Sequence, residues 1–524
     1  MTRWTPTTSM TQREEFVMKR LVRTKKLFAF LRTHRHELFD DGFQEELEGM
    51  YRTTGAGTEP LPPARLCMIV LLQAYAGVSD AEAVELTVMD ARWQLVLDCM
   101  NAESPVVSQG ALQKFRERLI AAGFDRRLLE RTVELAKATK EFDWKKLPKE
   151  LQVAVDSRPL EGAGRVEDTI NLLGHAARKI VMLAAKLTEL PVETVARQAR
   201  IPIALYASTK AGLDRDWSDP SQRGQALEEL LVQVDSLHDW LERTQLHNER
   251  PLQRYIEAIA QIRVQDTEQD EKGRTRIKQG VAEDRRVSIE EPEMRHGRKS
   301  KSKRFNGYKQ HVATDLNSDL ILACAITPAN RPEEESTPSL KVDLDLQCAS
   351  IGRLYVDRGY INSQLVADVQ YEGGEVVCKP WHVRNTRPEL FKKTDFNLNM
   401  RDRTITCPAG HIEAFEPGQV VEFDPELCGP CPLRSKCTHS ASGKGRTVSI
   451  AEDERLQKKL RARLATRAGR LQLRERVGIE HRLAHIAARQ GRQARYRGVT
   501  KNLFDLRRMA AIQNLETIQR KIAA

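Results

Sequence analysis

The sequence lacks a hydrophobic run long enough to span a membrane. Its longest uncharged apolar stretch, Leu66–Ser79, is shorter than the roughly 20 residues that a membrane-spanning helix needs. The opening segment MTRWTPTTSMTQREEF also lacks the apolar region of a secretory signal. We therefore expect neither a membrane protein nor a secreted one, and we expect the chain in the cytoplasm.

Cysteine is not abundant, since nine residues in 524 is ordinary usage. Because no secretory signal accompanies them, we expect reduced thiols and no disulfide framework. Five of the nine are scattered over apolar segments and are expected in the core: Cys67, Cys99, Cys324, Cys348 and Cys378.

The composition is that of a folded protein with a large surface. Hydrophobic residues make up 40% of the chain and charged residues 30%, which is typical of soluble proteins rather than disordered ones. A chain of 524 residues is too long for one ordinary domain, so we expect two to four.

Positive charge is concentrated in two parts of the chain. Residues 444–524 carry 21 Lys and Arg against 7 Asp and Glu, an excess larger than the +11 of the whole chain. A second cluster, HGRKSKSKRFNGYK, has six Lys and Arg, one His and no acid, and its candidate DNA-binding side chains are Arg298, Lys299, Lys301, Lys303 and Arg304. Such a run can be a solvated surface, but two of them favour a polyanionic partner, with nucleic acid the first candidate.

The N-terminal third has the pattern of short helices. One helical block precedes the Gly/Pro-rich break Thr53–Pro63, and another follows it, with Ser79 as the N-cap of one helix and Val107–Leu119 as a further capped helix. Short helices with capped turns are typical of helix-turn-helix DNA readers. They are equally typical of any small helical bundle.

Strand patterns follow. LQVAVD (Leu151–Asp156) alternates and is predicted to end at Asp156, and a helical insertion covers roughly 170–265. GYKQHVATDL and LILACAIT are predicted strands joined by a turn at 317–319, followed by helices alternating with the strands RLYVD and EVVCK. This order favours an α+β or α/β fold with a mixed sheet of ribonuclease-H type.

Two aspartates follow apolar strands, Asp156 after LQVAV and Asp357 after RLYV. Carboxylates at strand ends can share Mg²⁺ ions that leave positions for phosphate. Each could also simply cap the next turn or helix.

A third acid lies in the helical segment LQLRERVGIEHRLAHIAA. Glu480 interrupts an otherwise apolar stripe formed by Leu473, Val477, Ala484 and Ala487. We expect this stripe to face the core, where a carboxylate needs a partner or a metal. Arg476 could pair with Glu480, or Glu480 could join the two aspartates around two metal ions that cleave a phosphodiester.

The chain resembles bacterial insertion-sequence transposases of the DDE type, specifically the eleven-eighty-two group. The resemblance rests on the shared order of AVDSRPLEGAGRVEDTINLL, GYKQHVATDLNSDLILACAITPANRPEE, YVDRGY, RERVGIEHRLAHI and RYRGVTKNLFDLRRMAAIQNL. It implies a catalytic triad of Asp156, Asp357 and Glu480 that binds Mg²⁺ or Mn²⁺. It also implies that the protein binds the terminal inverted repeats of its element and joins 3′-hydroxyls to target DNA.

Further expectations accompany this resemblance. Arg476, Arg358 and Tyr360 are assigned supporting roles, while Leu473 and Ala487 replace the Tyr and Lys of the Tyr-Arg-Glu-Lys signature that such enzymes often show. Arg489 is a candidate for the missing cation. We expect a homodimer on DNA and a bacterial protein associated with the nucleoid.

The remaining four cysteines are clustered in CPAGH…CGPCPLRSKC. Cys407, Cys428, Cys431 and Cys437 have the spacing of a structural zinc site, with His411 able to replace one thiol. Free cytosolic thiols are the alternative.

The predicted domains are an N-terminal helical DNA-binding domain (1–145), a ribonuclease-H-like core (146–165 and 275–380), a helical insertion (166–274), a Cys-rich insertion (381–450) and basic C-terminal helices that complete the core (451–524). A non-catalytic DNA-binding protein on the same scaffold, or a zinc-bearing ribonuclease, would be the alternatives to a DNA-cleaving enzyme.

Overall fold

The computed structural model describes residues 3–21, 23–51, 59–139, 149–300, 302–383, 387–441 and 443–522. Lys301 and residue 145, the predicted end of the first domain, lie outside these ranges.

Short helices form the N-terminal part, as the sequence predicts. Their bounds are α1 (Gln12–Leu21), α2 (Lys26–Leu38), α3 (Asp41–Glu48), α4 (Pro63–Ala76), α5 (Asp80–Met89), α6 (Ala91–Leu97), α7 (Gln109–Ala121) and α8 (Phe124–Ala138). The side chains of Ser79 and Ser108 cap α5 and α7 by accepting from the backbone N–H of Glu82 and Ala111, so the predicted capped starts are confirmed.

A mixed sheet occupies the middle of the molecule. Its strands are β1 (Leu151–Glu161), β4 (Arg295–Arg298), β5 (Arg304–Asp315), β6 (Leu320–Pro328), β7 (Ile351–Tyr355) and β8 (Glu375–Val377), while β2 (Thr267–Gln269) and β3 (Thr275–Ile277) form a separate hairpin. The order is β6-β5-β1-β7-β8, with β4 paired to the start of β5. β5 is antiparallel to β1 and β6, whereas β7 is parallel to β1 and β8 to β7. The α+β class is therefore confirmed.

The prediction that the first strand ends at Asp156 is wrong. β1 continues to Glu161 because its second half pairs with β5, where Asp156 lies opposite Val312 and Glu161 opposite Gly307. The polar residues after Asp156 resemble a loop locally, and only pairing with a strand about 150 residues later makes them extended.

Helices and turns connect the later strands. They are the 3₁₀ turns Glu333–Ser336 and Arg358–Tyr360 and the helices α14 (Thr337–Asp345) and α15 (Gln364–Tyr371). The helical insertion consists of α9 (Thr169–Thr188), α10 (Val192–Gln198), α11 (Thr209–Leu213), α12 (Pro220–Arg243) and α13 (Arg250–Asp266). The insertion has its own apolar core, which includes the predicted Leu227, Leu230 and Leu237.

The Cys-rich segment forms small sheets and short helices. Its elements are β9 (Asn397–Asn399), β10 (Thr404–Thr406), β11 (Ile412–Ala414), β12 (Val420–Glu422), α16 (Pro425–Cys428), α17 (Arg434–Cys437) and β13 (Thr447–Ser449), with a 3₁₀ turn at Lys393–Asp395. A separate small core around Phe396, Ile405 and Phe423 holds this segment together.

The C-terminal helices return to the sheet. They are α18 (Glu454–Ala465), α19 (Arg467–Glu475), α20 (Val477–Gln490) and α21 (Val499–Ile522). α21 contacts β6, α4 and α8, so one continuous apolar core contains the N-terminal helices, the sheet and the C-terminal helix.

The prediction that the Val477–Glu480–Ala484–Ala487 stripe of α20 faces the core is also wrong. The buried row is Ile479, Leu483 and Ile486, whereas Val477 and Glu480 are exposed. Both rows have helical spacing and both are mostly apolar, so spacing alone cannot tell which one packs on the sheet.

Within the described ranges, no single helix is long and apolar enough to cross a membrane. α4 and α5 together are long and apolar enough to cross a membrane, but the two helices meet at a bend of 104°. Most of α4 is buried in the common core.

Candidate active site

Asp156 and Asp357 lie side by side where β7 ends beside the middle of β1. Ala154 of β1 is the register partner of Tyr355 of β7, and each aspartate follows two residues after its member of that pair. Asp357 is the N-cap of the 3₁₀ turn, where its Oδ1 accepts from the backbone N–H of Arg358 at 2.7 Å. The parallel pairing therefore brings two carboxylates 200 residues apart to one place.

Arg476 joins the two carboxylates. Its Nη2 lies 3.0 Å from Asp156 Oδ2 and 3.5 Å from Asp357 Oδ2. Arg476 occupies the break between α19 and α20, and its guanidinium lies between the two aspartates. The expected alternative, a pair between Arg476 and Glu480, is not among the salt bridges of the described residues, and the Asp pairs take its place.

Glu480 faces the same cavity as the two aspartates. This cavity of about 660 Å³ is lined by Asp156, Asp357, Arg476 and Glu480, and also by Ala484 and Ala487 of the predicted stripe. Ile479 packs into a small cluster with Ala154 and Tyr355 of the sheet. Because Ile479 fixes the rotation of α20, Glu480 is presented to the cavity instead of the core.

Burial makes the charged form of Asp156 unfavourable. The pKa of Asp156 is raised chiefly by desolvation, and the negative charge of Asp357 raises it further, while Arg476 and the Ser157 N–H oppose the shift. Burial lowers the pKa of Arg476, but the charges of Asp156, Asp357 and Glu480 together raise it above its usual value. Two adjacent carboxylates that need a cation are a suitable donor set for a divalent metal ion, which takes oxygen ligands.

Neither of the other two supporting candidates is among the residues that line the cavity. Arg358 donates from Nε to the carbonyl of Pro380 at 2.9 Å. Tyr360 is fully buried, and its hydroxyl lies 2.7 Å from Nδ1 of His311. Burial raises the pKa of this phenol well above its usual value and lowers the pKa of His311 to about 3. Both side chains are therefore uncharged at neutral pH and belong to the buried interior of the protein.

Sequence reasoning missed a fourth acid. Glu333 lines the cavity, and its Oε1 accepts from the hydroxyl of Ser157, next to Asp156, at 2.5 Å. Gly359, two residues after Asp357, packs so closely that a Cβ there would lie 2.1 Å from Glu333 Oε2. Glu333 thus contacts both aspartate-bearing segments. Its only sequence signal is its position just after a strand, in a run of three glutamates.

Two family models match the chain at opposite ends. The one described as "Transposase DDE domain" matches residues 406–519, and the one described as "Transposase domain (DUF772)" matches residues 20–118. The chain carries transposase domains. The predicted resemblance to insertion-sequence DDE transposases is therefore confirmed. No curated protein and no solved structure matches the chain.

The two matched segments divide the candidate site. The DDE match contains Arg476, Glu480 and the four clustered cysteines, whereas Asp156 and Asp357 lie between the two matched segments. The sheet register and the Arg476 ion pairs bring these parts together.

Basic side chains surround the acids. Of the five predicted DNA contacts, Arg298 and Lys299 line the cavity, Lys303 and Arg304 are exposed on the same hairpin, and Lys301 lies outside the described residues. Three further cations line the cavity wall. Lys309 belongs to the predicted basic cluster and Arg492 to the predicted basic C-terminal segment, whereas sequence reasoning missed Arg158.

Several C-terminal cations have internal partners instead. Arg489, the candidate for the missing cation, pairs with Glu516, while Arg507 pairs with Asp125 and Arg508 with Asp505. Part of the basic excess of residues 444–524 therefore stabilises the fold.

The four clustered cysteines converge on one small cavity. Cys407, Cys428, Cys431 and Cys437 line it together with His411, and all four are free and half-buried. Burial raises the pKa of Cys437, and the neighbouring thiols raise it further. Four soft sulfur donors around one cavity suit zinc. In the described part of the chain, however, no three His, Cys, Asp or Glu side chains are positioned to hold a metal ion.

Proposed function

We propose that the protein is a DDE transposase that binds the terminal inverted repeats of an insertion sequence, cleaves phosphodiesters at its ends and joins 3′-hydroxyls to target DNA. The observation that carries this proposal is the meeting of Asp156, Asp357 and Glu480 in the wall of one cavity. These acids come from a strand, a turn and a helix far apart in the sequence. The two transposase matches support the same class of enzyme.

A ribonuclease-H-like core is part of the proposal. It is supported by the strand order β6-β5-β1-β7-β8, by the antiparallel pairing of the first three strands and by the parallel addition of β7 and β8. The helical insertion and the Cys-rich insertion, each with an apolar core of its own, are consistent with the proposed domains.

The residues that line the cavity would have distinct roles in the reaction. Mg²⁺ or Mn²⁺ bound by Asp156, Asp357 and Glu480 would supply the chemistry that makes an attacking oxygen nucleophilic and offsets the charge of a leaving oxygen. Arg476 neutralises the aspartates and is placed to contact a phosphate once they have another cation. Arg298, Lys299 and Lys309 line the same cavity and would hold the DNA backbone.

Recognition of the element's ends is assigned to the N-terminal helices. The start of α7 exposes Gln109, Gln113 and Lys114, which are side chains able to read base edges in the major groove. A homodimer on DNA, with one active site for each end, completes the proposal.

The decisive experiment substitutes each acid by its amide. We expect Asp156→Asn, Asp357→Asn and Glu480→Gln each to abolish cleavage and strand transfer on DNA that carries the element's ends, with binding to those ends nearly unchanged. The matched control is Glu161→Gln, an exposed acid on the same strand as Asp156, which should keep wild-type activity.

The variants should remain folded, because each amide removes repulsion among the clustered carboxylates. Wild-type cleavage by any of the three in Mg²⁺ would remove that residue from the metal site. If wild-type protein binds the ends but cleaves nothing with either metal, the non-catalytic DNA-binding alternative is favoured.

A further inference from the structure

We propose that Arg158 is a buried phosphate-binding residue of the candidate active site, and that its ligand is a DNA backbone phosphate next to the one that is cleaved. The inference deepens the proposed function and rests on it, because this phosphate belongs to the strand that the acids would hold. Arg158 lies on β1 two residues after Asp156, and both residues line the same cavity. Two residues of a strand span about 7 Å, so an anion bound by Arg158 is displaced along the strand from the acids.

Arg158 is a buried cation without a carboxylate partner. The residue is only 8% exposed. Burial alone lowers the pKa of its guanidinium, to about 10, and no neighbouring carboxylate raises it again. The side chain therefore stays charged at neutral pH. A buried charge is costly unless an opposite charge meets it, and the described part of the chain supplies none.

One hydrogen bond fixes the guanidinium. Arg158 Nη2 donates to the carbonyl of Gly491 at 2.7 Å, whereas the buried Nη1 has no hydrogen-bond partner among the described residues. Gly491 follows α20, and the next residues are held to the end of β1 by backbone bonds of Glu161 with Arg492 and Ala494. The donors of arginine form a planar fork that suits phosphate, so an oxyanion in the cavity would supply the missing partner.

A purely structural role does not account for the charge of Arg158. The carbonyl of Gly491 needs one N–H donor, and a neutral amide side chain would provide it without burying a cation. Arg286 is the contrasting case. It is buried as well, but its guanidinium donates to the carbonyls of Ser288 and Ile289, and it does not line the cavity.

The composition of the cavity wall favours a phosphate of DNA as the anion. Six Arg or Lys and four acids line the cavity. Arg476 already pairs with two of the acids, and the proposed metal ions would hold the cleaved phosphate. The remaining cations, Arg158 among them, are therefore left for phosphates on either side of it, since such contacts fix the position of the DNA strand.

The first test compares the melting temperature of the full-length protein in phosphate and in chloride, in EDTA and at equal ionic strength. Phosphate should stabilise wild type by binding the folded cavity, and Arg158→Gln should lose at least half of this stabilisation. Arg158→Lys, which keeps the charge, should retain part of it. The matched control is Arg286→Gln, which removes a buried arginine outside the cavity and should leave the phosphate effect unchanged. Exclusion of phosphate from the protein surface also stabilises, but all variants share that effect.

The second test locates the phosphate on DNA. Binding of a duplex that carries the element's end is measured in EDTA, with a single uncharged methylphosphonate at each position flanking the cleaved phosphate. One flanking substitution should weaken wild-type binding about tenfold, the order of one charge-assisted hydrogen bond. The same substitution should change binding by Arg158→Gln less than about twofold, and the tenfold loss should persist in Arg286→Gln.

The proposal is overturned if phosphate stabilises Arg158→Gln as much as wild type, or if every flanking methylphosphonate affects the two proteins equally. A structural role alone would lower the melting temperature of Arg158→Gln by the same amount in both anions. Should Arg158→Gln not fold, Arg158→Lys takes its place, because lysine lacks the planar fork; an unchanged methylphosphonate penalty in that variant also overturns the proposal. Neither measurement depends on cleavage, so this proposal and the proposed function can fail separately.

Discussion

At the scale of single residues, Arg476 is the cation that lies between Asp156 and Asp357. We expect Arg476→Ala to lower the free energy of unfolding without metal by about 1–3 kcal/mol, since it leaves the largely buried Asp156 facing the half-exposed Asp357 with no cation between them. Mg²⁺ should then stabilise this variant more than it stabilises wild type.

Thermal unfolding with and without Mg²⁺ measures both effects for Arg476→Ala. Cleavage should fall, but less completely than in the acid variants. Equal stabilisation of both proteins by Mg²⁺ would contradict the placement of the metal at these aspartates.

The second prediction at the scale of single residues concerns Glu333. Removing its charge in Glu333→Gln weakens the bond from Ser157 and loosens the two aspartate-bearing segments. We expect metal affinity or cleavage rate to fall about 10- to 100-fold, as for residues that orient metal ligands.

Glu335→Gln is the matched control for Glu333, since Glu335 belongs to the same turn but is 47% exposed. The cleavage rate is measured as a function of Mg²⁺ concentration. A purely structural role would lower the melting temperature without moving the Mg²⁺ dependence.

At the scale of elements, α20 is positioned by Ile479. This side chain is fully buried against Ala154 and Tyr355, and its neighbour in sequence is Glu480. Ile479→Ala should lower the free energy of unfolding, measured by chemical denaturation, by about 2–5 kcal/mol. It should also impair cleavage, because α20 loses the packing contact with the sheet that positions Glu480.

Val477→Ala tests the opposite face of α20. Val477 is 43% exposed, so the substitution should change stability by less than about 0.5 kcal/mol. Had the stripe predicted from the sequence faced the core, these two variants would exchange their effects.

The Cys-rich segment carries a prediction of its own. We expect one zinc ion per chain, held by Cys407, Cys428, Cys431 and Cys437. The four thiols would lose their protons on binding zinc, and the metal would then join separate turns of this segment. Chelation or mild acid should then loosen residues 391–450 before the central sheet, as followed by hydrogen exchange. Purified protein without zinc and with four titratable thiols in this segment would contradict it.

At the scale of the whole molecule, the N-terminal helices cannot be removed cleanly. α21 contacts them through Arg507 with Asp125, through Arg508 with Gln73 at 2.8 Å, and through Asn514 with Thr132 at 3.0 Å. A deletion of residues 1–135 would expose this face of α21 together with the buried residues around it. We therefore expect the truncated protein to aggregate or to unfold at a lower temperature.

Surface substitutions are the appropriate test of end recognition. Gln113→Ala with Lys114→Ala on α7 should reduce the preference for the element's ends over arbitrary duplex, while salt-sensitive general binding persists. Competition binding measures the ratio. An unchanged ratio would mean that recognition of the ends does not lie on this face of α7.

Local patterns in the sequence determined the helices, the capped starts and the alternating strands. Ser79 caps α5 through its own side chain, and the strands joined by the turn at 317–319 form one hairpin. These features depend on residues close in sequence, so propensity and spacing are sufficient to predict them. The resemblance then supplied Asp156, Asp357 and Glu480, which three acids among 73 would not have identified by spacing.

Tertiary structure alone decided how these parts meet. The extension of β1 past Asp156, the placement of Arg476 between two aspartates and the fourth acid Glu333 all depend on contacts across more than a hundred residues. The rotation of α20 depends on which of two similar apolar rows fits the sheet. Such choices are made by packing and desolvation between distant segments, which leave no local signal in the sequence.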